Sequence, residues 1–132
     1  MHNMKRLFTL MVMLAAVVLA GAQDRYTVKK DISYVSSSDT SAYRKERCKL
    51  DVYYPEGKKG FKTIVWFHGG GLEGGGKELR PELMNCGYAM VAPNYRLFPR
   101  GKCPDYVRDA AAAVAWTLRH IAEYGGDPSQ VY

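Results

Sequence analysis

The residues with the clearest chemical potential lie at positions 68–77, where a histidine is followed by six glycines among eight residues. Glycine has no Cβ, so its backbone can approach a ligand closely and direct N–H groups toward it. The stretch directly follows the apolar run Ile64–Phe67, which is typical of an interior strand covered on both faces. The pattern predicts a loop that binds a ligand through backbone N–H groups, and three known templates match it at least in part.

The first template is the phosphate-binding P-loop. Gly71, Gly76 and Lys77 have its spacing, but Glu78 stands where a Ser or Thr hydroxyl should hold Mg²⁺. A carboxylate at that position would repel nucleotide phosphates at short range. This mismatch disfavours a nucleotide triphosphate as the ligand.

The second template is the dinucleotide fingerprint, which Gly69, Gly71 and Gly74 satisfy. It also requires an acidic residue about 20 positions further on to hold the ribose. The next predicted strand ends in the segment Ala92–Tyr95, which contains no Asp or Glu. The sequence therefore disfavours a dinucleotide as well.

The third template is His-Gly-Gly-Gly at positions 68–71, and with it the chain resembles the HGGG-type carboxylesterases and lipases of the α/β-hydrolase superfamily. The resemblance covers residues 47–132. Its further segments are LDVYYP at 50–55, VAPNYRL at 91–97, and a long helix with the GGDP turn at 105–132. The alternative, a flexible surface loop with a chance histidine, is disfavoured by the apolar strand that leads into the motif.

This resemblance implies a role for each residue of the motif. In the family the loop donates backbone N–H groups to an oxyanion hole, and we expect Gly69, Gly70 and Gly71 to supply them. Such donors stabilise the tetrahedral intermediate of ester hydrolysis by roughly 3 kcal/mol each. The resemblance implies that His68 scaffolds the loop and is not the catalytic base.

The resemblance also implies catalytic residues that this sequence lacks. A Ser in a G-x-S-x-G elbow should be followed by an Asp or Glu and then a His, but no serine here lies in such a motif. Neither Ser129 nor His120 is assigned a catalytic role. We therefore expect residues 23–132 to be the N-terminal portion of an α/β-hydrolase domain, truncated before the nucleophile, inactive and poorly folded alone.

The expected function of the full-length protein is that of a secreted serine hydrolase acting on carboxylic esters, either small-molecule or carbohydrate-linked. No metal or organic cofactor is implied. Two alternatives stay open: an amide or peptide hydrolase on the same fold, and an exported binding module without catalysis. A structural ion pair between Arg96 and Asp109 is also expected, against the alternative of two solvated charges.

The elements that must position the loop follow from the hydrophobic pattern. Alternation in RCKLDVYY (47–54) predicts a half-covered strand near a sheet edge. Apolar spacing at Val107, Ala110, Val114, Leu118 and Ile121 predicts one face of a helix over Pro104–Tyr124. The remaining predicted elements are strands at Tyr26–Val35, Phe61–Phe67, Tyr88–Ala92 and from Val131, and a short helix at Glu78–Asn85. This order predicts an α/β fold in which antiparallel first strands precede parallel strands with flanking helices.

Composition and charge narrow the classes of function. The chain has 132 residues, 47% of them hydrophobic, which is enough for one domain with a core. Its formal charge is +6, but the cations are scattered and form no dense basic run. Nucleic acid is therefore not an expected partner.

The first 22 residues predict export. Lys5 and Arg6 precede the uncharged run Leu7–Leu19, and Ala20-Gly21-Ala22 has the small-x-small pattern of a cleavage site. The apolar stretch of 16 residues is shorter than the roughly 20 needed to span a membrane, so no stable anchor is expected. The interpretation is a signal peptide cleaved after Ala22 and a secreted or periplasmic product. The pairing of the three cysteines, Cys48, Cys86 and Cys103, stays open.

Overall fold

Five strands, two α-helices and two 3₁₀ segments make up the computed structural model, which describes residues 23–132. The predicted signal peptide, residues 1–22, lies outside the described residues. The strands are β1 (Tyr26–Ser33), β2 (Lys49–Pro55), β3 (Phe61–Val65), β4 (Ala89–Pro93) and β5 (Gly126–Val131). The helices are α1 (Ala42–Arg47) and α2 (Asp105–His120), with single 3₁₀ segments at Pro81–Leu83 and Ile121–Tyr124.

All five strands form one mixed sheet in the order β1-β2-β4-β3-β5. β2 is antiparallel to both of its neighbours, whereas β3 is parallel to β4 and β5. The carboxyl ends of β3, β4 and β5 therefore lie at the same edge of the sheet, where ligands bind in open α/β folds. The predicted arrangement of antiparallel first strands followed by parallel strands is confirmed.

The prediction of a strand near a sheet edge at 47–54 is confirmed in its position, second from the edge, but its expected half-covered burial is wrong. β2 lies inside the sheet, between β1 and β4, and its residues Leu50, Asp51, Val52 and Tyr53 are all buried. The alternation of polar and apolar residues does not reflect exposure here, because the polar residue Asp51 is buried in an ion pair with Lys77. The edge strand on this side of the sheet is β1, whose irregular register around Asp31 accounts for its imperfect alternation.

Two helical segments also differ from the predictions. Only one 3₁₀ turn forms where a helix was expected at 78–85, because backbone N–H groups there bond to distant partners: Asn85 N–H donates to Tyr53 Oη at 3.1 Å. Conversely, α1 was not predicted. Ser41 caps it by accepting a hydrogen bond from Arg44 N–H at 3.2 Å.

α2 forms where predicted but is rotated about its axis relative to the predicted apolar face. Its buried residues are Asp109, Ala113, Trp116 and Thr117, while Val107 is 63% exposed. The buried carboxylate of Asp109 determines this orientation because two arginines bind it (described below). Gly125 ends the helical segment with a φ of 99°, as the sequence predicted. Within residues 23–132, no helix is both long and apolar enough to cross a membrane.

Candidate functional site

The candidate site is the glycine loop, residues 68–77, which follows β3 at the carboxyl edge of the parallel strands. The end of β5 lies beside β3 at this edge, since Tyr132 N–H donates to Thr63 O at 2.9 Å and Val65 N–H donates to Tyr132 O at 2.8 Å. The C-terminal residue of the chain is therefore close to the point where the glycine loop begins.

Three consecutive carbonyl groups of the loop are held by hydrogen bonds to the protein. Tyr95 Oη donates to His68 O at 2.6 Å. His68 Nδ1 lies 2.7 Å from Gly69 O. Gly70 O accepts from the N–H groups of Glu73 at 3.2 Å and Gly74 at 3.1 Å. These contacts fix the orientation of three successive peptide planes.

The N–H groups of the same peptides point the opposite way. In a planar trans peptide the carbonyl of one residue and the N–H of the next are antiparallel. The N–H groups of Gly69, Gly70 and Gly71 are thus directed away from the protein side of the loop. None of them donates a hydrogen bond to any residue in the range 23–132, and all three residues are exposed. Successive free N–H groups of this kind form a concavity suited to an anion.

Glycine is required at two positions of the loop by geometry. Gly70 has a φ of 124°, and a Cβ on it would lie 2.2 Å from Gly74 O. Gly75 has a φ of 90°, and a Cβ there would lie 2.3 Å from Gly69 O. A Cβ at Gly69 would meet nothing within 4 Å. Of these three glycines, Gly70 and Gly75 have no room for a side chain because the loop folds back on itself there, whereas Gly69 has room.

His68 is enclosed rather than presented to the site. It is 4% exposed and stacks on Tyr95 with ring centroids 4.5 Å apart and planes 11° apart. Burial raises the pKa of Tyr95 and outweighs the opposing effect of Arg47, so the phenol stays protonated and donates to His68 O. These contacts stabilise the start of the loop.

Arg47 is a contributor to this site that the sequence analysis missed. It lies at the end of α1, where a strand was predicted, and its side chain reaches back to the loop. Nη2 donates to Gly75 O at 2.7 Å, and Nε donates to Tyr95 O at 3.1 Å. No spacing rule connects residue 47 to residue 75, so the sequence offers no local signal for this contact.

The far end of the loop is anchored to the sheet. Lys77 Nζ lies 2.5 Å from Asp51 Oδ1 and 3.1 Å from Asp31 Oδ1, and Lys77 N–H donates to Asn94 Oδ1 at 2.6 Å. Burial opposes the charge on Lys77, but the two carboxylates outweigh it and raise the pKa of the amine. A P-loop lysine would instead extend toward phosphates, so these contacts agree with the rejection of that template.

The structure brings Arg96 and Asp109 into direct contact. Arg96 Nε donates to Asp109 Oδ2 at 2.8 Å, and Nη2 donates to Oδ1 at 2.9 Å. Arg44 Nε adds a third side-chain bond at 3.1 Å. The carboxylate is completely buried. The pair joins the segment after β4 to α2 and so supports the wall next to the glycine loop.

An apolar cavity of about 350 Å³ opens beside the loop. Its lining residues are Phe67, Leu72, Tyr95, Tyr106, Val107 and Ala110. Phe67 and Leu72 stand directly before and after the HGGG motif, so the cavity adjoins the glycine loop.

Ser129 and His120, which the sequence analysis did not assign to catalysis, form hydrogen bonds with nearby residues of the chain. Ser129 Oγ donates to Asp127 Oδ1 at 2.7 Å, and His120 Nδ1 lies 2.8 Å from Glu123 Oε1. Neither His68 nor His120 contacts a serine hydroxyl within the described part of the chain. The same residues, 23–132, contain no group of three or more His, Cys, Asp or Glu able to hold a metal ion.

Comparison with known proteins identifies relatives of this chain. The family model described as BD-FAE matches residues 50–132. A "probable isoprenylcysteine alpha-carbonyl methylesterase" of Arabidopsis thaliana is 36% identical over 91 residues, which is 65% of this chain and 19% of that protein. The "probable carboxylic ester hydrolase LipM" of Mycobacterium tuberculosis is 44% identical over 59 residues, 45% of this chain and 14% of that protein.

A solved structure shows the same fold. Esterase B from Lactobacillus rhamnosis superposes with a TM-score of 0.67 at 22% identity, covering 98% of this chain and 41% of the esterase. The chain spans about a fifth of the length of the first curated relatives it matches. These matches establish the α/β-hydrolase fold, in the order of elements seen here.

Proposed function

Since this chain belongs to the BD-FAE family and has the α/β-hydrolase fold, we propose that it supplies the oxyanion-hole part of a carboxylic ester hydrolase. The observation that carries the proposal is the glycine loop itself. Three N–H groups, from Gly69, Gly70 and Gly71, are free and directed away from the protein, while their partner carbonyls are held in place. Donors arranged in advance stabilise the negative oxygen of a tetrahedral intermediate without reorganising during the reaction.

The position of the loop supports this role. Tyr132 pairs with the end of β3, so residues attached after it would emerge beside the free N–H groups. In the α/β-hydrolase fold the serine elbow follows a strand in this manner. We propose that the serine nucleophile, the acid and the histidine base come from residues beyond Tyr132, and that the 132 residues alone are inactive.

The proposed substrate is a carboxylic ester, either of a small molecule or linked to a carbohydrate. The names of the relatives support the ester class: one is called a methylesterase and another a carboxylic ester hydrolase. We further propose that residues 1–22 direct the protein out of the cytoplasm. N-terminal sequencing of the product recovered from the bacterial periplasm or the medium should begin at Gln23, and an intact Met1 there would contradict the export proposal.

The enzymatic proposal is tested with the protein expressed from the complete reading frame, beside residues 23–132 alone. The complete protein should contain G-x-S-x-G soon after Tyr132, hydrolyse p-nitrophenyl acetate, and lose that activity when this serine is changed to alanine. Residues 23–132 should show no turnover.

Three results would contradict the enzymatic proposal. A complete protein without the elbow or any hydrolysis would indicate the binding module. Preference for a p-nitroanilide over the matching ester would indicate an amide or peptide hydrolase. Turnover by residues 23–132 would show that the nucleophile lies elsewhere.

A further inference from the structure

One arginine converges on the glycine loop from a distant part of the sequence. The guanidinium of Arg47 lies within hydrogen-bond distance of Tyr95 O, Gly75 O and His68 Nε2, at 3.1, 2.7 and 3.4 Å. Among residues 23–132, Arg47 forms no salt bridge with a carboxylate. Because its hydrogen bonds all go to uncharged acceptors, Arg47 holds these groups in position and does not neutralise a carboxylate.

The chemistry of the guanidinium determines the tautomer of His68. Arginine has only N–H donors, so the Nε2 atom that faces it must carry a lone pair. The proton of the neutral ring is then on Nδ1, which lies 2.7 Å from Gly69 O and donates to it. The opposite tautomer would place a hydrogen against the guanidinium and two lone pairs against each other at Gly69.

This tautomer fixes the direction of the Gly70 N–H group. The Nδ1–H bond holds the carbonyl of Gly69 on the protein side, and the planar peptide turns the next N–H outward. Arg47 also holds Gly75 O, and the Gly75 backbone packs on the ring, since a Cβ there would lie 2.6 Å from His68 Nδ1. The Arg47 side chain therefore holds both the His68 ring and the part of the loop around Gly75.

We propose that Arg47 is a positioning residue for the oxyanion hole. It keeps His68 in the Nδ1–H tautomer and secures Gly75, and through them it orients the Gly70 N–H toward the reacting oxygen. This inference rests on the proposed function for its catalytic consequence, but the tautomer of His68 is independent of any activity.

The kinetic test compares Arg47→Met and Arg47→Lys with Arg119→Met in the protein from the complete reading frame. Arg119 is exposed on α2 and serves as the matched control. Arg47→Met should lower kcat by about tenfold to a hundredfold, below the loss for deleting a donor outright, with little change in KM. Lysine should restore part of kcat because it still donates hydrogen bonds, although without the planar fork. An unchanged kcat in Arg47→Met, or a change confined to KM, would overturn the proposal.

The tautomer is tested by ¹⁵N NMR of histidine-labelled protein from the complete reading frame, in which the His68 signals are assigned as those that disappear in His68→Gln. In the unsubstituted protein the His68 Nε2 resonance should be that of an unprotonated nitrogen and Nδ1 that of a protonated one. Arg47→Met should shift His68 toward the other tautomer. A proton on Nε2 before substitution, or an unchanged spectrum after it, would overturn the inference. If the protein has no esterase activity but this spectrum is found, the proposed function fails and the structural role of Arg47 stands.

Discussion

Arg96 and Asp109 are joined by two parallel hydrogen bonds, and the carboxylate between them is entirely buried. Arg96 N–H donates to the same carboxylate at 3.1 Å, so backbone and side chain of one residue bind it together. Arg44 supplies a further bond from α1. The carboxylate thus connects α1, the segment after β4 and α2, three parts of the chain that the sheet alone does not join.

Removing Arg96 should therefore destabilise the protein. Arg96→Ala leaves Asp109 buried with Arg44 as its one remaining side-chain cation among residues 23–132, and breaking a buried pair in this way costs about 3 kcal/mol. Urea denaturation of the protein from the complete reading frame measures the change. Lys58→Ala is the control, because Lys58 and Asp24 form an exposed pair, 2.9 Å apart, that is worth less than about 1 kcal/mol. Equal effects of the two substitutions would show that Arg96 and Asp109 behave as solvated charges.

The same carboxylate should make stability depend on acid pH. Burial by itself would raise the pKa of Asp109, but hydrogen bonds from the Arg96 side chain and backbone outweigh it and hold the pKa below its usual value. A folded-state pKa below the unfolded value of about 3.9 stabilises the protein above that pH, and the contribution is lost as pH falls through the folded pKa.

Asp109→Asn isolates this contribution from that of other carboxylates. The difference in free energy of unfolding between the unsubstituted protein and Asp109→Asn should be greatest near pH 7 and shrink below about pH 4. Urea titrations at a series of pH values measure it. A difference that stays constant from pH 7 down to the acid-unfolded state would contradict the assigned pKa direction.

The sequence predicted the fold correctly where pattern and local chemistry agree. Strand β4 is a continuous apolar run because both of its faces are covered, and Gly125 ends the helical segment through its positive φ. Strand β3 forms where predicted but is less covered than expected, since Lys62 is exposed and Ile64 and Val65 are half-buried. The predictions failed where a polar residue is buried by a distant partner. Asp51 was assigned to an exposed face because nothing nearby in sequence shows that Lys77 pairs with it.

The candidate site shows the same division. The histidine and glycines of positions 68–71 were found from the motif, since the proposed function requires those residue types in a fixed order. The partners that hold them, Arg47 and Tyr95, lie 21 and 27 residues from His68 along the chain and contact it only in the folded structure. The motif therefore identified the glycine loop, whereas the residues that hold the loop in place required coordinates.

The three cysteines should differ sharply in reactivity. All are free thiols, but Cys48 is buried whereas Cys86 and Cys103 are exposed. Burial is the main cause that raises the pKa of Cys48, to about 11, so almost none of it is thiolate near neutral pH. Iodoacetamide at pH 8 followed by peptide mapping should find Cys86 and Cys103 modified in the folded protein and Cys48 modified only after denaturation. Rapid modification of Cys48 without denaturation would contradict this placement.

Gly70→Ala should abolish most of the esterase activity. The new Cβ would lie 2.2 Å from Gly74 O, and a φ of 124° is one that L side chains rarely adopt, so the loop must shift. A shifted loop moves the donor N–H groups, and loss of a single donor typically lowers kcat about a hundredfold to a thousandfold.

Gly76→Ala, in the same loop, is the matched control for Gly70→Ala. A Cβ at Gly76 makes only ordinary contact, 3.6 Å from Asn94 Oδ1. It should retain kcat within a few-fold, since surface substitutions that strain nothing change little. Steady-state hydrolysis of p-nitrophenyl acetate, with circular dichroism to verify folding, compares the two. Both glycines lie in one loop, but only Gly70 has a proposed donor N–H group and no room for a Cβ. Similar kcat values for the two variants would therefore show that catalysis does not depend on the geometry of residues 69–71.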